Sequence, residues 1–143
     1  MRNPTHQDPT TLAAYQRSLD RVFGQSRELL AGAPTWQAGL FHSVRACYGE
    51  MRAHPDALHL HFVATARDAG VQAIRTRHRD RLIALLDETR ADAPPPLHAE
   101  LMLSMIHTTL RRQIVERQAP LDLDDAEQTF ARLLFLYEAP QAA

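Results

Sequence analysis

Nowhere in this chain do apolar and polar residues alternate with the period of two that a half-buried strand requires. Apolar side chains recur three and four residues apart instead, in segments cut off by proline, and that leaves helices as the regular elements. Asp8-Pro9 is an N-cap followed by proline at the first helical position. It leads into Leu12, Tyr15, Leu19, Val22, Ser26 and Leu29, and Gly32-Ala33-Pro34 stops the helix. Thr35 caps a second helix with Trp36, Leu40, Val44, Cys47 and Met51 on one face. Its other face, with Ala38, His42, Ala46, Gly49 and Ala53, is small enough to suggest an inner helix approached closely by a neighbour's backbone. His54-Pro55-Asp56 ends this segment and starts a short third helix to about Arg67, broken by Asp68-Ala69-Gly70.

A fourth helix is expected from about Val71 to Arg90, with Val71, Ile74, His78, Leu82, Leu85 and Thr89 as its apolar stripe. Arg75, Arg77, Arg79, Arg81 and Arg90 fall on its flanks and far side. Ala91 to Pro96 is a stiff connector. The fifth helix, about Leu97 to Arg117, carries one stripe of Ala99, Leu103, Ile106, Leu110 and Ile114. A second stripe lies nearly opposite, and a helix apolar on two sides is buried on two sides. A sixth helix follows Asp122-Leu123-Asp124 and ends in an all-round apolar run, Leu133 to Tyr137. The expectation is an all-α, six-helix bundle: a polar tail over residues 1–8 and one domain over 9–143. The apolar surplus of the last two helices points to a homodimer through Leu101, Met105, Thr108, Val115, Phe130, Leu133, Leu134 and Tyr137. The competing account sinks the last helix wholly in its own core.

Charge and cysteine content narrow the function. The formal net charge is −1, so no nucleic-acid footprint stands out. All 16 basic residues are arginine, spread along the chain as in a high-GC bacterial genome. The single Cys47 excludes an intramolecular disulfide and a CxxC site, and on an apolar helical face it reads as a small core residue. No apolar run approaches a membrane span, and the N-terminus is polar, so a cytoplasmic protein with no membrane partner is expected. There is no GxSxG nucleophile motif and no glycine-rich phosphate loop. No enzyme activity and no cofactor are expected.

The stretch from Leu12 to Val22 resembles the long helix that follows the helix-turn-helix in tetracycline-repressor-like (TetR-family) regulators. Trp36, Leu40, Val44 and Met51, then His54 to Leu58, are similar to that family's next helix and corner. Ala69-Gly70, Arg77-His78-Arg79, Ala99-Glu100-Leu101 and Ile106 to Arg112 continue the match over nearly the whole chain. The resemblance is to the C-terminal regulatory domain, which implies an effector cavity, a dimer and a ligand-driven switch. Only Met1 to about Gln7 precede the first helix, too few for a helix-turn-helix, so this chain alone is not expected to bind DNA.

Eight histidines raise a metal alternative, but no two stand three or four apart on an expected helix. The nearest grouping is Glu50, His54, Asp56 and His59 at a helix corner. His59 and His61 point to different faces. His78, centred in an apolar stripe, is either a core-edge histidine bonded to a backbone carbonyl or a polar anchor in a ligand cavity. His107 shares that ambiguity. In the resembled family the cavity lies between the middle helices and the fifth. The pocket is therefore expected among Leu40, Val44, Cys47, Phe62, His78, Leu82, Met102 and Ile106, holding a small hydrophobic effector. The rivals are a helical-bundle metalloprotein or hydrolase using histidines, and a dimerisation module without ligand.

Overall fold

The structure is a computed structural model and describes residues 8–62 and 67–112, which form five helices and no strand. α1 spans Pro9–Gly32; the Asp8 carboxylate accepts from the backbone N–H groups of Thr10 and Thr11, satisfying donors the helix itself cannot. α2 spans Trp36–Ala53, with Thr35 Oγ1 accepting from Ala38 N–H at 3.1 Å. α3 spans Pro55–Phe62, α4 Ala69–Thr89 and α5 Pro96–Arg111. The sixth helix expected after Asp122 lies outside the described residues, as do residues 63–66 of the expected third helix.

Two local expectations are corrected. The break expected at Asp68-Ala69-Gly70 is confined to its first residue, and α4 starts two residues earlier than Val71: Asp68 Oδ1 accepts from Val71 N–H at 3.0 Å, so the acid is an N-cap and Gly70 is already helical. A Cβ on Gly70 would stand 3.1 Å from the Leu12 side chain, so α1 packs close at this point. A backbone does approach α2 closely, at the edge of its small-residue face and not at the far end of that face. Gly49 is exposed, with nothing within 4 Å of a Cβ built on it. The close approach is at Gly39, where a Cβ would lie 3.2 Å from Leu30 Cα and 3.3 Å from Leu30 O. There the last turn of α1 rests on the first turn of α2.

α1 packs on α2 and α4, α5 packs on α4 and α2, and the short α3 wedges among α1, α2 and α4. Two apolar clusters result. One gathers Tyr15, Leu19, Val22, Met51, Leu60 and Val71 around the start of α4. The other runs from Leu30 and Leu40 through Phe62 and Leu86 to Ile106 and Leu110. Full burial of each large aliphatic side chain contributes about 1.5–3 kcal/mol. Leu58 packs against both clusters.

Polar bonds fix how the helices meet. The Arg90 guanidinium, just past α4, donates to the carbonyls of Leu30 at 2.8 Å and Ala33 at 2.7 Å, and to both oxygens of Asp92. Asp92 in turn accepts from Trp36 N–H at 3.2 Å. One arginine thus clasps the end of α1, the end of α4 and the start of α2. Arg111 Nε donates to Phe62 O at 3.1 Å, tying α5 to the end of α3. No helix among the described residues is long and apolar enough to cross a membrane.

Candidate functional site

Where the two apolar clusters meet, the interior does not close. A partly open cavity of about 70 Å³ lies between α2, α3, α4 and α5. Its hydrocarbon walls include Val44, Phe62, Leu82, Leu103 and Leu110. Its polar walls come mainly from three imidazoles, His61, His78 and His107, and two guanidiniums, Arg75 and Arg79. The period of α4 explains the grouping: residues 75, 78, 79 and 82 share one side of a helix.

The imidazoles sit in an aromatic nest. His107 stacks on Phe62 at 5.1 Å with the rings 9° from parallel, and His61 meets the edge of each. Tyr15 reaches in from α1 to hydrogen-bond His61 Nδ1. Burial pushes the Tyr15 phenol above its ordinary range, so the phenol keeps its proton and donates it to that bond. Burial is also the largest cause of the histidine shifts. It lowers His78 to about 4, with Arg81 adding to the effect and Asp20 opposing it. It lowers His107 to about 3, helped by Arg75 and Arg111. His61 lies well below its usual value from burial and the nearby His107, Arg75 and His78. All three are neutral at pH 7. Burial pushes the Cys47 thiol up to about 12, which rules out an activated thiolate.

Among the described residues, three that line the cavity each hold a buried polar atom with no hydrogen-bond partner there: Ser43 Oγ, His78 Nδ1 and Arg79 Nε. Buried polar atoms are ordinarily satisfied, so three such atoms on residues lining one small space give its surroundings unused bonding capacity. The backbone-carbonyl bond considered for His78 is not made at Nδ1; the ring instead lies edge-on to Phe23, 6.3 Å between centroids.

Of the expected pocket residues, Val44, Cys47, Phe62, His78 and Leu82 line the cavity. Leu40, Met102 and Ile106 do not: they are 0%, 5% and 0% exposed within the core. The α5 row that faces the space is Leu103, His107 and Leu110, one position round the helix from Met102 and Ile106. Arg75 and Arg79, expected on the flanks and far side, His61, expected only to face away from His59, and Ser43 are among the residues sequence reasoning did not bring to the pocket. Of the expected interface, Leu101 and Met105 are 53% and 52% exposed and Thr108 is exposed. Val115, Phe130, Leu133, Leu134 and Tyr137 lie outside the described residues.

In the corner grouping the ion pair is made by Glu50, with Arg21. Glu50 accepts two hydrogen bonds from Arg21, and His54 Nε2 stands 3.5 Å from it. No group of three or more potential metal ligands is assembled among the described residues. Compared with family models, curated proteins and solved structures, the chain matches none.

Proposed function

We propose that this chain is the effector-sensing and pairing domain of a transcriptional regulator of the tetracycline-repressor type, the family its sequence resembles. The observation that carries the proposal is the cavity, apolar over most of its wall and lined by Ser43, His78 and Arg79, whose Oγ, Nδ1 and Nε make no hydrogen bond among the described residues. Binding sites have that make-up: mostly hydrocarbon, with a few polar groups that orient the ligand. At about 70 Å³ the space is smaller than a drug-sized site. A larger effector must displace the walls, and a ligand that binds the opened arrangement better shifts the population towards it.

The test is His78→Leu in a thermal-shift screen against an apolar fragment library. The variant is expected to hold or gain stability, because it removes an unsatisfied buried nitrogen worth about 1–3 kcal/mol. It is also expected to lose the stabilisation that fragments confer on the wild type, about 2.7 kcal/mol at a hundredfold excess over Kd. A library that stabilises neither protein overturns the effector reading. One that stabilises both equally removes His78 from the ligand contacts and leaves the cavity as the binding place.

Pairing is supported by Leu97, Leu101 and Met105, which stand four residues apart on one side of α5 and are more than half exposed. Leu101→Asp should lower the mass measured by sedimentation at micromolar concentration and leave the helical circular dichroism unchanged. A wild-type protein that sediments as a monomer removes pairing from the proposal.

A further inference from the structure

The cavity carries more positive charge than its surroundings neutralise, and this bears on what it binds if the effector reading holds. Arg75 and Arg79 line it, and among the described residues no aspartate or glutamate does. Arg79 is answered by Glu100 at 3.6 Å and Asp80 at 3.9 Å. Arg75, one turn earlier and partly buried, makes no hydrogen bond or ion pair with any of the described residues. Burial lowers its pKa, yet a guanidinium stays charged at neutral pH.

A partly desolvated cation without a counter-charge is costly, and its neighbours among the described residues do not supply one. The acidic groups that feel Arg75 most are the Tyr15 phenol and the Cys47 thiol, and burial keeps both protonated. The imidazoles of His61 and His107, which also feel it, are neutral and bring no negative charge. Among the described residues, none of the groups that act on Arg75 brings a compensating negative charge.

We propose that the cavity binds a small organic monocarboxylate, its carboxylate against Arg75 and its hydrocarbon part between Phe62, Leu82 and Leu103. One unpaired guanidinium calls for one negative charge. The hydroxyl of Ser43, 2% exposed and without a hydrogen-bond partner among the described residues, adds a donor to the lining. The mostly apolar remainder suits an alkyl or aryl body and gives an inorganic dianion too few donors. A volume of about 70 Å³ encloses about two or three water-sized groups, enough for a carboxylate and its first carbons.

Isothermal calorimetry of the whole chain at pH 7.5 decides the matter, with butyrate and benzoate as probes against butyramide, benzamide and inorganic phosphate. The carboxylates should bind at least about tenfold tighter than their amides, as a charge-assisted bond to arginine predicts. Phosphate should not compete. Arg75→Gln should abolish the carboxylate preference, and Arg77→Gln, altering an exposed residue on the same helix, should preserve it. The wild-type comparison of acid with amide stands whether or not the Arg75 variant folds. Equal affinity for acids and amides overturns the anion assignment while leaving an effector cavity in place. Preferential phosphate binding, a preference that survives Arg75→Gln, or no binding of either carboxylate at millimolar concentration also overturns it. The apolar-fragment screen decides the broader function separately.

Discussion

Between pH 7 and pH 5 the domain is expected to lose about 4 kcal/mol of stability from His78 and His107 alone, at about 1.4 kcal/mol per pH unit for each. Both are neutral in the folded protein, with pKa values of about 4 and about 3. An unfolded histidine takes up its proton near pH 6.5. The unfolded chain therefore binds more protons throughout that interval. Stability is fully present above pH 6.5 and declines as the pH falls towards the folded values. His61, shifted the same way, adds to the loss. A small domain has only about 5–15 kcal/mol in total, so this loss precedes most carboxylate protonation. Urea midpoints followed by circular dichroism at pH 7, 6 and 5 measure it, and a His78→Gln, His107→Gln double variant should flatten the slope. An unchanged wild-type midpoint from pH 7 to 5 would mean that these imidazoles are not buried in the neutral form.

The second large effect is expected at Arg90. Replacing it by Met removes the donors that satisfy the Leu30 and Ala33 carbonyls and breaks its pair with Asp92. Charge-assisted bonds of this kind at a nearly buried side chain put the cost at about 3 kcal/mol, or roughly 10 °C in Tm for a chain this long. Arg90→Lys should recover less than half, because an ammonium cannot fork between two carbonyls and a carboxylate. A melting temperature within about 2 °C of wild type for the Met variant would show that water replaces the clasp without loss.

Helix boundaries were legible where a capping side chain or proline stands: Asp8, Thr35 and Pro55 each mark an observed start. Asp68 was misread because an acid before Ala-Gly resembles a turn as much as a cap, and the Val71 N–H bond that decides it is not visible in one dimension. The pocket was half legible. His78 stood out as a polar residue in an apolar stripe. Arg75 and Arg79 did not, because binary patterning assigns arginine to the solvent and registers nothing of a guanidinium turned inward. His61 was hidden by the brevity of α3, whose eight residues give little more than two turns of pattern. The Leu103–His107–Leu110 row lies beside an equally apolar one, Met102–Ile106, and only packing chooses between them.

The Arg90 clasp also bears on the domain's lifetime. Its bond to Leu30 joins residues 60 positions apart, whereas α1 and α2 meet across a three-residue connection. Closing the longer loop carries the larger entropic penalty, so the hairpin of α1 and α2 is expected to assemble before the clasp engages. An interaction made after the folding transition state leaves the refolding rate nearly untouched and acts on the escape rate instead. The guanidinium would then set how long a folded molecule survives between openings, while the rate of reaching the fold is fixed elsewhere.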